Sequence, residues 1–282
     1  AGYAIERGKG LIFVVNKWDT VKDTTIADFE KLISGYNFAR DAYKEMDAKS
    51  AELVKYASNC MLATRVSFMN EMAKICERFG ANILHVEKGL GADTRIGTAY
   101  LSAGCGYGGS CLPKDVKSLI KQCECISTDT PLLKSVDYVN ELQKTILVKK
   151  IKRTFNNDIS GLKFALWGLA FKPNTDDLRE APSINIIDGL VASGAYVSVH
   201  DPMFKMKESI IFNGHKIDCV DDMYIVLDGA DALIIVTEWD EFINADLMAI
   251  KSRMSGKYIF GGRNIYSPEK LVDTGLIYIQ IG

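Results

Sequence analysis

Apolar residues recur three and four residues apart along two long stretches in the middle of the chain, a spacing that predicts helices. The first stretch covers residues 50–79, and Gly80 is a suitable C-terminal stop. The second covers residues 131–155 and predicts one long helix. A short helix near residues 82–89 lies between them. We therefore predict a helical central domain over about residues 46–156.

The pattern changes at Gly161, after which the apolar runs are short and separated by polar turns. Runs typical of buried strands occupy residues 163–167, 196–200, 232–236, 258–260 and 277–281. A helix is predicted over residues 182–193, between the first two strands. Strands that alternate with helices predict an α/β fold with a parallel, doubly wound sheet over residues 157–282. Residues 1–45 add a short β-α fragment, with a strand at residues 11–15.

The composition is that of a soluble globular protein, with 48% hydrophobic and 25% charged residues. A net charge of −2 gives no reason to expect nucleic acid or a membrane as a partner. The seven cysteines, an odd number, indicate a reducing compartment and predict a cytoplasmic protein. We find no signal peptide, no apolar run of transmembrane length and no spacing typical of a metal site.

The strongest chemical signal is Cys111, which lies in the sequence GGSCLPKD at residues 108–115. Pro113 favours a helix start, so the glycine turn is predicted to deliver the thiol to a helix N-terminus, where partial positive charge stabilises a thiolate. Asp115 follows four residues later on the same predicted helix face. A nucleophile beside a carboxylate is suited to covalent catalysis. The alternative for a cysteine is a small buried hydrophobe, which we expect for Cys60 and Cys76.

A second pair of polar residues, Lys55 and Asn59, is spaced to share one helix face. A solvated helix face is the ordinary explanation for such a lysine. Asn59 is more suggestive, because it lies in an apolar segment where a buried amide requires hydrogen-bond partners.

Two glycine-containing turns resemble nucleotide-binding elements only in part. Residues 104–109 match G-x-G-x-x-G, but no strand precedes them, so we interpret the glycines as backbone flexibility around the thiol. The turn after Gly168 is followed by Asp201 at the end of the next strand, where a ribose-binding acid would lie. That turn is not glycine-rich. Lys172 and Arg179 suit phosphate or carboxylate binding, unless this is a surface loop of mixed charge.

The sequence NKWD at residues 16–19 follows a predicted strand and matches a guanine-recognition element. Its partner, the phosphate-binding sequence G-x-x-x-x-G-K-[ST], occurs nowhere in the chain. Guanine-nucleotide binding is therefore the weakest of the functions considered.

Five motifs, in order, resemble the UDP-glucose 6-dehydrogenases of the wider UDP-glucose/GDP-mannose dehydrogenase family. They are AELVKYASN at 51–59, DTRIG at 93–97, GYGGSCLPKD at 106–115, GLAFKPNTDDLR at 168–179 and GRNIYSP at 262–268. The resemblance runs from about Met46 to Gly282. It implies a Rossmann-like UDP-sugar-binding domain over residues 157–282 and a homodimer formed through the central helices.

The resemblance also implies an NAD-dependent, two-step oxidation of the sugar 6-hydroxyl to a carboxylate. Cys111 would capture the aldehyde as a thiohemiacetal, and the thioester formed next would be hydrolysed. Lys55 and Asn59 would stabilise developing oxygen charge and hold a water molecule, with Asp115 as base or water-orienting group. The implied binding residues are Lys55, Arg95 (lent to the neighbouring subunit), Tyr100, Gly108, Phe171, Lys172 and Arg263 for the substrate, and Arg179 for the cofactor.

Two departures from the family are clear. The family begins with an NAD-binding domain, whereas residues 1–35 resemble a fragment of the tandem-GTPase ribosome-assembly proteins, so we expect this chain alone to form no NADH. Gly261 stands where the family commonly has Asp. A non-catalytic, dimeric sugar-nucleotide-binding fragment is therefore an alternative, and UDP-N-acetylmannosamine and GDP-mannose are alternative substrates.

Overall fold

A computed structural model describes residues 47–204, 210–212 and 215–282. The GTPase-like fragment predicted at residues 1–45 lies outside the described residues. The chain divides into two compact units, residues 1–58 and 59–282. In the first unit the described residues are helical from Ala48 onward, and the Asp47 carboxylate accepts hydrogen bonds from the amide and hydroxyl of Ser50.

Five helices precede the sheet in the described part of the chain. They are α1 (Ala48–Phe79), α2 (Ile83–Ala92), α3 (Leu112–Cys125), α4 (Pro131–Gln143) and α5 (Ile146–Thr154). Their starts follow local chemistry: the Asn82 side chain accepts a hydrogen bond from the Leu84 amide, and prolines occupy the first turns of α3 and α4.

The single helix predicted over residues 131–155 is wrong, because the structure has two helices with a turn at Lys144 and Thr145. The Thr145 amide and hydroxyl both hydrogen-bond to the Leu142 carbonyl, which ends α4. Helix α5 then buries Leu147 and Ile151 in the main core. The apolar spacing continues across the turn, so periodicity alone did not reveal the break.

The second half of the chain forms a seven-stranded sheet in the order β3-β4-β2-β1-β5-β6-β7. The strands are β1 (Lys163–Trp167), β2 (Tyr196–His200), β3 (Ile210–Phe212), β4 (His215–Cys219), β5 (Ala232–Ile235), β6 (Tyr258–Gly261) and β7 (Ile277–Ile279). The last strand is shorter than the predicted run, 277–281. Six strands are parallel, and β3 pairs antiparallel with β4 at one edge. The predicted α/β fold with a parallel, doubly wound sheet is confirmed.

Both faces of the sheet are buried. Successive side chains along a strand point to opposite faces, and each face packs against its own apolar cluster. On β1, Phe164 and Leu166 join one apolar cluster with residues of α5 and of helix α6 (Pro182–Val191). Ala165 and Trp167 join a second cluster on the opposite face, with residues of α7 (Asp240–Ile243) and α8 (Leu247–Arg253). A smaller cluster contains residues of α1, α3 and α4, including Cys60. Cys60 and Cys76 are each 5% exposed, as predicted for structural thiols.

Strand order reverses direction between β1 and β5, since β2 lies on one side of β1 and β6 lies on the far side of β5. In open α/β sheets, ligands bind beyond the carboxyl ends of the strands at such a switch point. The turns after β1, β5 and β6 meet here, since Thr237 bonds the Ala170 carbonyl and Arg263 bonds the Val236 carbonyl. No helix in the described ranges has the length and apolar character required to cross a bilayer.

Candidate active site

Cys111 is the residue immediately before α3 and is exposed to solvent. Pro113 occupies the first turn, and the Cys111 carbonyl accepts a hydrogen bond from the Asp115 amide at 2.8 Å. The Ser110 hydroxyl lies 3.6 Å from the thiol sulfur. The thiol is therefore presented at the positive end of a 14-residue helix, as its sequence context predicts.

Asp115 lies one turn further along α3, and its carboxylate is fully buried. Its Oδ2 accepts a hydrogen bond from Asn59 Nδ2 at 2.6 Å, and its Oδ1 pairs with Lys114 Nζ. Asn59, Lys114 and Asp115 therefore form one polar cluster in the first turn of α3 and on the facing part of α1. The Asn59 amide, for which the sequence implied a need for partners, is partly buried and donates to this buried carboxylate.

The glycine segment 104–109 is held by buried side-chain amides. The Gly104 amide donates to Asn70 Oδ1 at 2.8 Å, and Gln143 Nε2 donates to the Gly104 carbonyl at 2.7 Å. Asn140 bonds both the amide and the carbonyl of Tyr107, at 2.9 and 3.1 Å. The backbone amides of Gly104 and Tyr107 therefore donate to groups of the protein itself, which agrees with the rejection of a dinucleotide loop. From the sequence, we interpret the glycines as backbone flexibility around the thiol. The structure adds that the peptide groups at Gly104 and Tyr107 are held by buried side chains.

The same segment packs tightly on the turn that follows β1. The Gly109 amide donates to the Arg179 carbonyl at 2.7 Å. A methyl group built on Gly108 would lie 2.3 Å from the Glu180 carbonyl oxygen. One built on Gly109, where φ is +86°, would lie 2.7 Å from the Phe171 ring. These positions need glycine for close approach, and the contacts place the Cys111 turn against residues 171–180.

Arg263 reaches the other end of the glycine segment from the turn after β6. Its Nε donates to the Val236 carbonyl at 3.0 Å and lies 3.4 Å from Glu238 Oε2. A methyl group on Gly104 would lie 2.7 Å from a terminal nitrogen of this guanidinium. The structure therefore brings Arg263, as well as Phe171, to the segment that carries the thiol.

Asp201 follows β2 directly, as the sequence indicated, but its carboxylate forms hydrogen bonds within the protein. The residue is 2% exposed, and its Oδ2 accepts the amides of Leu169 and Ala170 at 2.7 and 3.1 Å. Its Oδ1 accepts the Met203 amide at 3.0 Å. The carboxylate closes the turn after β1 and is not directed at a ligand.

Lys172 and Arg179 place cationic groups at the surface of this turn. Lys172 Nζ lies 5.6 Å from the centre of the Phe171 ring. Arg179 is paired with Asp177, and this hydrogen bond raises the pKa of the guanidinium, with the Cys111 thiol among its weaker electrostatic neighbours. Because its side chain is 70% exposed and lies near the thiol, Arg179 fits a residue that holds the phosphates of NAD.

Three further predicted residues are described here by their local surroundings. Lys55 belongs to the first compact unit, where its Nζ is 5.6 Å from the centre of the Tyr56 ring. Arg95 is 87% exposed and makes a bidentate pair with Asp93. Tyr100 is 37% exposed and has a positive φ of 59°.

Several residues that support the site were not singled out from the sequence. The buried amides Asn70, Asn140 and Gln143 carried the same signal as Asn59, namely an amide in an apolar helix. Thr237, which donates to the Ala170 carbonyl at 2.6 Å, carried no such signal. The pair of Lys144 and Glu180 also gave none, because the two residues are distant in sequence and Lys144 lies in a stretch expected to be continuous helix.

Known proteins provide independent comparisons. The models of the UDP-glucose/GDP-mannose dehydrogenase family match twice, the central domain over residues 49–142 and the UDP binding domain over residues 165–268. The UDP-glucose 6-dehydrogenase of Pseudomonas aeruginosa is 43% identical over 242 residues, which cover 84% of this chain and 53% of that protein. The UDP-glucose 6-dehydrogenase of Rhizobium meliloti is 40% identical over 234 residues, 83% of this chain and 53% of that protein.

Solved structures show the same relationship. A UDP-glucose dehydrogenase from Pyrobaculum islandicum is 33% identical, with a TM-score of 0.71 over 91% of this chain and 56% of that chain. A UDP-D-ManNAc dehydrogenase from Pyrococcus horikoshii is 27% identical, with a TM-score of 0.70 over 84% of this chain and 52% of that chain. This chain spans about half the length of the curated relatives that it matches. With both domain models matched in order, the chain belongs to the UDP-glucose/GDP-mannose dehydrogenase family.

Proposed function

We propose that this chain carries the nucleophile and the sugar-nucleotide site of a UDP-glucose 6-dehydrogenase. The observation that carries the proposal is the position of exposed Cys111 at a helix N-terminus. The preceding residues, Gly108 and Gly109, pack against the turn that follows β1 at the carboxyl edge of the sheet. Relatives named UDP-glucose 6-dehydrogenase support UDP-glucose as the substrate. UDP-N-acetylmannosamine and GDP-mannose are the alternatives to be tested.

Cys111 supplies the covalent step. Its thiolate attacks the aldehyde carbon of the oxidised sugar, a C–S bond forms, and the carbonyl oxygen takes a proton to give a thiohemiacetal. NAD, when bound, supplies the hydride acceptor for oxidation, and Arg179 would hold its phosphates. The resulting thioester is attacked by water, the C–S bond breaks, and the thiolate leaves with the carboxylate as product.

Asp115 and Asn59 act in the hydrolytic half of the reaction. A carboxylate held by an amide and an ammonium group keeps a defined orientation, which suits it to position a water molecule and to accept its proton at Oδ2. Lys55 would supply a further cation for developing oxygen charge, a role that the family resemblance alone implies.

Substrate binding falls to residues around the glycine segment. Lys172 and Arg263 contact the sugar nucleotide through charge, while Phe171 and the backbone at Gly108 shape the pocket. Arg95 would be lent to the neighbouring subunit, and Tyr100 would line the pocket. The exposed position of Arg95 and its surface pair with Asp93 are compatible with that role.

Dimerisation is proposed through α1. Its exposed large apolar residues include Met61, Phe68 and Ile75, seven residues apart, followed by Phe79 one turn later. Seven residues is close to two helical turns, so these side chains form one stripe along the helix. A second copy of the chain would bury this stripe.

All seven cysteines are free thiols, which supports a reducing, cytoplasmic compartment.

The proposal is tested by trapping the covalent intermediate. The chain is incubated with the 6-aldehyde of UDP-glucose in a buffer that contains no reductant. Mass spectrometry should then show a reversible adduct of the aldehyde on Cys111. Cys111→Ser should abolish the adduct. Cys125→Ser is the matched control, because Cys125 is also exposed but lies at the opposite end of α3.

Calorimetry completes the test. UDP-glucose should bind more tightly than UDP-N-acetylmannosamine or GDP-mannose, and Lys172→Ala should weaken binding about tenfold or more, the loss expected for one charge-assisted contact. Binding without an aldehyde adduct would favour the non-catalytic binding fragment. NADH formation from UDP-glucose by this chain alone would contradict the expectation of no turnover.

A further inference from the structure

We propose that Lys144 is a positioning residue for Cys111, which it orients through Glu180 and the glycine turn. The inference rests on the proposed function, because it concerns the presentation of the nucleophile. The two can be tested separately, because the experiments on Lys144 need neither substrate nor cofactor.

Lys144 is a buried cation whose charge is satisfied by two carboxylates. It is 1% exposed, and its Nζ lies 2.9 Å from Glu141 Oε1 and 2.7 Å from Glu180 Oε2. Burial of an ammonium group without partners is strongly unfavourable, so Lys144 and its two carboxylates hold one another in place. The hydrogen bond from Lys144 in turn keeps the pKa of Glu180 below its usual range.

Glu180 passes this constraint to the backbone that faces the thiol turn. Its φ is +54°, a conformation that few residues other than glycine adopt. Its carbonyl oxygen lies where a side chain at Gly108 would be, and the preceding carbonyl, that of Arg179, accepts the Gly109 amide. Fixing the side chain of Glu180 therefore fixes both contacts that define the turn before Cys111.

Lys144 also contacts the start of the same turn. A methyl group on Gly106 would lie 3.2 Å from Lys144 Cγ, and Gly106 has a φ of +103°. One side chain thus packs against Gly106 and holds the residue that faces Gly108. The break between α4 and α5 places Lys144 at this point.

A buried ion pair has an ordinary structural explanation, which predicts only a general loss of stability. The chain offers a comparison in Lys150, which pairs with Glu77 away from the glycine segment. If Lys144 were merely structural, Lys144→Met and Lys150→Met would have effects of the same kind, without selective change at the turn.

The first experiment measures hydrogen exchange by NMR in the full 282-residue chain. In Lys144→Met the Gly109 amide should exchange at least tenfold faster, while amides of β1 and β5 remain protected. Lys144→Arg should restore protection, because a guanidinium can bridge both carboxylates. Lys150→Met should leave the Gly109 amide unchanged.

The second experiment measures alkylation by iodoacetamide at Cys111, with Cys125 as internal reference. Lys144→Met should change the rate at Cys111 at least threefold and leave Cys125 unchanged. Glu180→Gln should act in the same direction, and the double variant should be no more affected than the stronger single one. Glu180 is 42% exposed in its side chain, so this variant keeps the test available if Lys144→Met does not fold.

An unchanged Gly109 amide and an unchanged Cys111 rate in folded Glu180→Gln and Lys144→Met would overturn the inference. Equal acceleration of exchange throughout the sheet, or additive effects in the double variant, would do the same. Failure of the wild-type chain to bind UDP-glucose or to form the aldehyde adduct would instead overturn the proposed function, since these exchange and alkylation readouts do not involve a sugar nucleotide.

Discussion

At the scale of single residues, the site depends on positions where any side chain would obstruct the backbone. Gly109 combines a positive φ with contact against the Phe171 ring, and Gly108 faces a carbonyl oxygen. The sequence pattern indicated that these glycines matter, but it did not show which groups they contact. Whether a glycine is needed for close approach depends on what lies opposite, and here the partners, Glu180 and Phe171, are more than 60 residues away in the chain.

The cost of these two requirements can be separated by substitution. Gly109→Ala should destabilise the chain by about 1–2 kcal/mol for the left-handed backbone and by about 1–3 kcal/mol more for displacing the ring. Gly80→Ala is the matched control, because Gly80 has a φ of +70° with nothing within 4 Å. Urea unfolding measures both, and equal losses would show that the Phe171 contact does not matter.

At the scale of elements, the turn after β1 is organised by one buried carboxylate. Asp201, at the end of β2, accepts the amides of Leu169 and Ala170 and thereby shapes the segment that leads to Phe171. The position of an acid at the end of the second strand was visible in the sequence. Its partners were not, because they belong to a turn more than 30 residues earlier.

Removal of the Asp201 carboxylate should lower the free energy of unfolding of the chain. Asp201→Ala leaves two buried amides without an acceptor, each worth about 1–3 kcal/mol. Asp246→Ala is the matched control: Asp246 also accepts two backbone amides, at the start of α8, but in an exposed position, where losing a cap costs about 1 kcal/mol. The two variants are compared by thermal and urea unfolding, and an Asp201→Ala loss no larger than the control would contradict this account.

At the scale of the whole molecule, the apolar stripe on α1 is the surface that we assign to a second copy of the chain. Phe68 is 49% exposed and Met61 is 63% exposed, although both are large apolar residues. A soluble chain rarely leaves such residues in a row without an interaction that covers them.

Phe68→Glu should therefore shift the chain from dimer to monomer, because it places a charge in the centre of the proposed contact. Met248→Glu is the control, since Met248 is 59% exposed and lies on α8, outside the stripe. Sedimentation velocity over a range of concentrations measures the change. A wild-type chain that is monomeric at all concentrations, or a Phe68→Glu variant that remains dimeric, would contradict the assignment.

The sequence by itself determined the elements whose causes are local. Short apolar runs predicted the strands of the parallel sheet, and helical apolar spacing predicted the central helices. The glycines, proline and acid around Cys111 predicted a thiol at a helix start. Tertiary structure alone decided what depends on partners distant in the chain: the break at Lys144, its pairing with Glu180, and the use of Asp201 within the protein. Periodicity reports which face of an element is buried, whereas the contact that a buried polar group makes is set by packing between elements.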